Sequence, residues 1–482
     1  MKKILLKILV SVLLMWGVGL TVWHAAILLR MREGVTLNEA FGSWSVWQYA
    51  TGRTPYDHTN WEGPYFNFEV HPPLYFWLGG KIVAFTGASA QDTVRCGRLL
   101  SVVSTFIVAA AIGWCLRKRG ATPWHVLLGI QLFCGTFYTA IIGARLQPDM
   151  VGIALAVAGI ALVAVRDSTG MLVMGSCLCA LAPFAKQQYV SGLLALWLCY
   201  AFARDWRRLR VTMGAGLTVL GITYGGFLWL QEGAVMNLFG MQGATSYLLG
   251  TLAVQAGPML LTVVPVFMAG VTVAKVLGGG IDRSTRLLAL YAGCSFVVAS
   301  LALPKEASGF YYYAECIAPL SMVCALTMNE WHSRGMRRWT WLAGTLGVVS
   351  VLGTIQVQFP VNECAAMTRM LQRKDKQLVT ALSGDERILY ACSDFMVRTG
   401  RPVYAADVFS MKQYIETHPE GAERLGQQMA AGFYEAIVLE DRVEKIPPRR
   451  WSSKVLEMIR RQYRLRGRVG SLYIYEPAAR RP

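Results

Sequence analysis

Charge is scarce in this chain: Asp, Glu, Lys and Arg make up 16% of its 482 residues, against 54% hydrophobic side chains and a mean hydropathy of +0.39. That balance excludes an ordinary soluble globular protein and leaves room for many membrane spans. Acid is scarcer than base, with 29 Asp and Glu against 47 Lys and Arg, a formal charge of +18. The surplus does not point to nucleic acid, because the basic residues fall in short clusters between apolar runs and no basic-aromatic groove or finger motif accompanies them. Metal-ligand spacing is missing among the 11 cysteines. Most of them, including Cys134, Cys177, Cys179 and Cys294, lie inside apolar runs, where cysteine behaves as a small hydrophobe. Cys364 and Cys392 are the one pair with a chance of bonding, if the C-terminal region faces an oxidising compartment. Internal repeats and low-complexity segments are also lacking. The N-terminal run has a basic start but no small-x-small cleavage site, so it reads as an uncleaved first span.

What is present is a series of apolar runs near 5–29, 97–116, 124–144, 149–165, 170–185, 188–203, 211–230, 257–277, 286–303, 313–328 and 339–358, about 11 spans at roughly 20 residues each. The basic clusters test their order. Lys2, Lys3 and Lys7 precede the first span; Arg117 to Arg119 follow the second; Arg166 follows the fourth; Arg204, Arg207, Arg208 and Arg210 follow the sixth. Lys275, Arg283 and Arg286 bracket the loop after the eighth, and Arg334, Arg337 and Arg338 follow the tenth. All of them fall on the N-terminal side of the membrane. With that side cytoplasmic, the stretch 37–76, the turn from Arg145 to Asp149, Lys186, the loops at 231–256 and 304–312 and the C-terminal region face outward. The polar residues that look functional therefore share one face, the one opposite the basic clusters.

The stretch from Leu37 to Phe76 is aromatic and, before the C-terminal region, is the polar stretch richest in carboxylates, the groups a membrane enzyme needs for acid or base work. Leu37, Ala40, Phe41, Trp44 and Trp47 recur at helical spacing and predict an amphipathic helix lying in the membrane interface. Paired prolines after His71 suit the first turn of a further segment returning to the membrane surface. Beyond Pro360 the pattern turns soluble. Strands are expected at 387–391, 402–405, 435–440 and 471–475, and helices at 410–417, 421–431 and 451–463, a small α/β domain. The expected division is a transmembrane domain over 1–360, with its outer loop at 30–92, and an α/β domain over 361–482.

Four motifs resemble the GT-C glycosyltransferases of the protein-mannosyltransferase and aminoarabinose-transferase group, in particular their bacterial Rgt-like branch. An acid follows the first span, then Gly52-x-x-Pro55-Tyr56 and Pro72-Pro73-Leu74-Tyr75. Arg145 to Met150 is similar to the family's Arg…Pro-Asp-Met element, Phe184 to Gln188 to its Phe-x-x-Lys-Gln, and Tyr312 to Glu315 to its Asn-Tyr-x-x-Glu; Thr399 to Val403 also resembles Rgt-like members. The resemblance implies a mainly α, polytopic GT-C fold with a small periplasmic α/β domain in a bacterial inner membrane. It implies an inverting transfer of a hexose or pentose from a polyprenyl-phosphate lipid to an outer-face glycan, lipid or protein acceptor, with a divalent metal as an open option. A lipid-linked-sugar flippase, or a GT-C polymerase or ligase using a lipid diphosphate, is the alternative.

The family begins its outer loop with Asp-Glu, where this chain has Asn38-Glu39. Asn cannot accept a proton at neutral pH, so the base is Glu39 or one of Asp57, Glu62 and Glu69. Cations for the leaving phosphate are Arg145, Lys186 and Lys305. Substrate contacts are expected from His71, Tyr75, Asp149, Tyr313 and Glu315. Each has a plainer reading. Thr36-x-x-Glu39 is a capping box, Asp57 a turn residue, Arg145 a snorkelling side chain and Asp149 a helix-dipole partner. Tyr313 fits an aromatic belt. Lys186 and Glu315 are lone charges among apolar residues, where charge is costly and tends to be functional.

Overall fold

The structure is a computed structural model and describes residues 15, 18–34, 36–241, 263–277, 281–305, 309–335, 375–382, 386–390, 392–446 and 451–478. The expected span at 339–358 and Cys364 lie outside them. The chain divides into two compact units: 1–29 with 98–226 and 246–362, and 30–97 with 227–245 and 363–482.

The first unit is helical. Helices Pro123–Cys134, Asp149–Val165, Thr169–Ala185, Ser191–Phe202, Trp206–Leu220, Val263–Leu277, Arg283–Ala302 and Ala314–Ser333 coincide closely with the apolar runs. Three of the described helical stretches, Ala90–Lys118, Trp206–Leu230 and Arg283–Ala302, are long and apolar enough to cross a membrane. The expected run at 124–144 is two helices, Pro123–Cys134 and Phe137–Ile142, broken at Gly135, after which the Thr136 hydroxyl caps the second helix through the Thr139 N–H. Helices Asp149–Val165 and Thr169–Ala185 form a hairpin so close that a Cβ on Gly159 would lie 2.5 Å from the Gly175 carbonyl oxygen. Small residues allow this approach where packing, not water, drives helix association.

Helix Asp149–Val165 separates two polar groups by its 17 residues, about 25 Å. At its start Asp149 meets Lys186. Just past its end Asp167 meets Arg208 at 2.7 Å and also Arg283, while Arg119 pairs with Asp282 and Lys275 with Glu330. Pairing of Asp167 with both Arg208 and Arg283 gathers the clusters expected after the fourth, sixth and eighth spans at one helix end.

The second unit contains a four-stranded sheet, β1 (Ile388–Tyr390), β2 (Ala436–Leu439), β3 (Tyr463–Val469) and β4 (Leu472–Pro477), in the order β1-β2-β4-β3. β1 and β2 are parallel; β4 runs antiparallel to both β2 and β3. Helices Val408–Thr417, Pro419–Ala430 and Ser453–Gln462 match expectation. The expected strand at 402–405 does not form. Phe66 N–H donates to the Tyr404 carbonyl at 2.7 Å and Asn67 Nδ2 to the Val403 carbonyl at 2.6 Å, so the stretch around Phe66 occupies it in place of a sheet neighbour. Phe66 and Phe68 are fully buried in the same apolar cluster as Tyr404, Tyr414 and Leu439.

The helix expected from Leu37 forms over Leu37–Ala50, with the Thr36 hydroxyl capping it. Its aromatic face does not lie against lipid. Phe41 and Trp44 are buried against Val397 and Ala406, each removal from water being worth roughly 1.5–3 kcal/mol. The paired prolines do open a helix, Leu74–Thr86, which runs on through apolar residues well beyond the patch expected at His71 to Trp77.

Candidate active site

In the second unit the carboxylates of Glu39 and Glu69 are buried. Glu39 sits in the first turn of helix Leu37–Ala50, and its N–H donates to Thr36 Oγ1 at 3.2 Å. The cap of the expected box therefore exists. Glu69 directly follows the buried pair Phe66 and Phe68. Its Oε1 accepts the His71 N–H at 2.9 Å, its Oε2 accepts the Ser45 hydroxyl, and its own N–H donates to Asn237 Oδ1 at 2.7 Å. Burial pushes the Glu69 carboxyl up to about 8, against the opposing effect of the Ser45 and His71 bonds; the Asp407 carboxylate adds to the rise. Burial thus favours the protonated form of Glu69.

Asp57 and Glu62 have different surroundings. Asp57 is exposed and caps the turn His58–Asn60, accepting from Thr59 N–H at 2.9 Å and Thr59 Oγ1 at 2.8 Å. The Thr59 N–H is the main reason its carboxyl lies below the usual carboxylate range. Glu62 is exposed, 4.0 Å from His58 Nε2. The His71 carbonyl accepts the Tyr56 hydroxyl, and its ring lies over Phe76. Tyr75 is buried, its hydroxyl on the Gly97 carbonyl at 2.8 Å.

In the helical unit a second constellation forms. Helix Thr169–Ala185 ends where Lys186 turns extended. Lys186 is buried with Nζ 2.8 Å from Asp149 Oδ1, and Tyr189 donates its hydroxyl to the same oxygen at 2.6 Å. The ammonium also lies over the rings of Tyr312 at 4.6 Å and Tyr311 at 5.4 Å, a favourable cation–π arrangement. Gly152 makes room: a Cβ there would be 2.2 Å from the Tyr189 ring. Arg145 is within electrostatic reach of Tyr311, and its Nε is buried without a hydrogen-bond partner among the described residues. Lys305, half-buried, follows helix Arg283–Ala302, and burial lowers the pKa of its ammonium.

Tyr313 and Glu315 open helix Ala314–Ser333. Tyr313 is buried on Phe296, with its hydroxyl 3.1 Å from Ser300 Oγ. Glu315 accepts from Tyr291 and Ser191, each at 3.0 Å. It joins three helices in the apolar core, a satisfied carboxylate. Sequence reasoning did not find Tyr189, Ser45, Asn237, Ser191 or Tyr291. Tyr189, three residues beyond Lys186 in Lys-Gln-Gln-Tyr, was within reach of a spacing argument; the others are distant in sequence and carry no local signal. Among the described residues no group of three or more His, Cys, Asp or Glu is placed to hold a metal.

The chain shares its fold with solved structures of ArnT and of an archaeal oligosaccharyltransferase. The chain superposes on ArnT from Cupriavidus metallidurans bound to undecaprenyl phosphate with a TM-score of 0.65 at 13% identity, over 96% of this chain and 98% of that one. The archaeal oligosaccharyltransferase AglB from Archaeoglobus fulgidus, in complex with an inhibitory peptide and a dolichol-phosphate, is similar with a TM-score of 0.52 at 9% identity, over 97% and 75%. No protein-family description matches the chain, and no curated protein matches it in sequence.

Proposed function

We propose that the protein is an inverting glycosyltransferase that moves a sugar from a polyprenyl-phosphate lipid to an acceptor on the periplasmic face of a bacterial inner membrane. The observation that carries this reading is the buried Lys186 with its Asp149, Tyr189, Tyr311 and Tyr312 surroundings in a GT-C fold. A departing lipid phosphate gains negative charge, and a cation held in a dry, aromatic setting stabilises it more than one in water. Lys186 is the phosphate ligand, and Arg145 and Lys305 are its supports. Asp149 keeps Lys186 in place until a phosphate replaces or joins it.

Glu39 is the base that takes the acceptor proton. Its rival Glu69 is pushed up by burial, and both its oxygens are already engaged, by the Ser45 hydroxyl and the His71 N–H, which makes it the weaker candidate. Asp57, bound to its own turn, and Glu62, on the surface, are weaker candidates. His71, Tyr75 and Tyr313 serve as framework for substrate contacts, and the α/β sheet unit lies on the periplasmic side.

The test is sugar transfer from a set of radiolabelled polyprenyl-phosphate sugars in membranes carrying the wild type, Glu39→Gln or Lys186→Ala at matched expression. Transfer by the wild type that vanishes in both variants supports the reading. Consumption of no donor, with labelled lipid crossing the bilayer, replaces it with a flippase.

A further inference from the structure

The first turn of the helix that carries Glu39 is gripped by a segment more than 350 residues away in sequence. Asp394 Oδ2 accepts the Gly34 N–H at 3.0 Å, and the Ser393 hydroxyl donates to the Ala40 carbonyl at 2.7 Å. These two bonds bracket Glu39 from either side along the chain. Gly34 itself touches the carboxylate residue: a Cβ on Gly34 would lie 3.3 Å from Glu39 Cβ and 3.2 Å from the Ala40 nitrogen. A side chain at position 34 would therefore press on Glu39 and the first turn of its helix.

The grip is itself braced. Ser393 Oγ is also 3.0 Å from the Ala406 carbonyl. Arg398 Nε donates to Asp394 Oδ2 at 3.1 Å and its Nη2 to Asp375 Oδ2 at 2.6 Å. Asp394 and Ser393 are buried, and Asp394 Oδ1 has no hydrogen-bond partner among the described residues. An incompletely satisfied buried carboxylate costs stability. Packing alone would be served as well by an apolar residue, whereas a carboxylate is needed to hold a backbone N–H and a guanidinium together.

We propose that Asp394 and Ser393 are positioning residues that set the place of Glu39 through Gly34 and Ala40, so that the C-terminal segment is a working part of the transfer site. The inference rests on Glu39 acting as the base. General-base work requires hydrogen-bond reach to the acceptor hydroxyl, and a displacement of about 1 Å can lower a rate by about a hundredfold. Neither Asp394 nor Ser393 needs to touch substrate for this.

The experiment compares Asp394→Asn, Asp394→Glu, Ser393→Ala and Gly34→Ala, each alone and with Glu39→Gln, by kcat and donor KM and by hydrogen exchange of the amides at 34–41. Expected are a fall in kcat of about tenfold or more with donor KM unchanged, partial rescue by Asp394→Glu, and faster exchange at 34–41. Glu39→Gln transfers no sugar, so in that background the readout is exchange at 34–41, which Asp394→Asn speeds as it does alone; a merely structural role lowers kcat and donor affinity together. Gly34→Ala crowds Glu39 without touching the C-terminal segment, so it reports even if Asp394→Asn does not fold. Wild-type kcat in Asp394→Asn and Ser393→Ala, with Glu39→Gln inactive, overturns the proposal. If Glu39→Gln is fully active, the base assignment fails instead, and unchanged exchange at 34–41 would then overturn the grip as well.

Discussion

The two units hold their buried charges in different ways. In the helical unit, Asp149, Lys186 and Tyr189 belong to one helical hairpin and the turn after it, and the charge of Lys186 is met by an opposite charge. In the second unit, Ser45 and the His71 N–H hold the Glu69 carboxyl and Asn237 its N–H, while Asp394 and Ser393, from far along the chain, hold the backbone at Gly34 and Ala40 on either side of Glu39. An ion pair keeps its charge when buried; a carboxyl met only by neutral donors is pushed toward its protonated form. Glu69 shows that second outcome, and the contrast separates a cation suited to phosphate from a carboxyl suited to holding a proton.

The sharpest way to break the contrast is to remove one member of the pair. Lys186→Met strands Asp149 as a buried charge and should cost about 3–5 kcal/mol, seen as a large drop in melting temperature in detergent along with lost transfer. Adding Asp149→Leu should restore stability but not activity. A next test uses pH. Burial raises the folded-state pKa of Glu69 above its unfolded value, so the folded state binds the proton more tightly. Its contribution to stability is greatest below the ordinary value of 4.5, falls as pH rises towards about 8, and is constant above that. Melting temperature measured from pH 5 to 9 should therefore fall less steeply in Glu69→Gln than in the wild type.

Smaller effects sharpen the picture. Gly152→Ala drives a Cβ into the Tyr189 ring and should cost about 1–3 kcal/mol, with a reduced rate because Tyr189 leaves Asp149. Asp57→Ala removes only a turn cap and should cost no more than about 1 kcal/mol. Its transfer rate should equal that of the wild type, and a large loss would put Asp57 back among the bases.

The helical unit was the more legible one. Apolar runs bounded by Pro148, Ser168 and basic clusters mark the helix ends, because hydropathy and capping are local properties. Lys186 stood out for the same reason, as a lone charge between two such runs. The second unit was less so. The segment Pro402 to Ala405 has strand-like residues, but its backbone bonds go to Phe66 and Asn67, a choice only the tertiary fold makes. β3 was missed because Arg464, Arg466 and Arg468 sit on an edge strand with a register shift near Gly467, which hides the period of two. The aromatic face at Phe41 and Trp44 reads equally as lipid-facing or as core, and burial against Val397 and Ala406 decided it.

The most direct measurement separates binding from chemistry: affinity for a polyprenyl phosphate and rate of sugar transfer, both in Glu39→Gln and in Lys186→Met. The account predicts that Glu39→Gln binds the lipid as the wild type does and transfers no sugar, while Lys186→Met loses the binding. Transfer at the wild-type rate by Glu39→Gln, or undiminished lipid binding by a folded Lys186→Met, would contradict it.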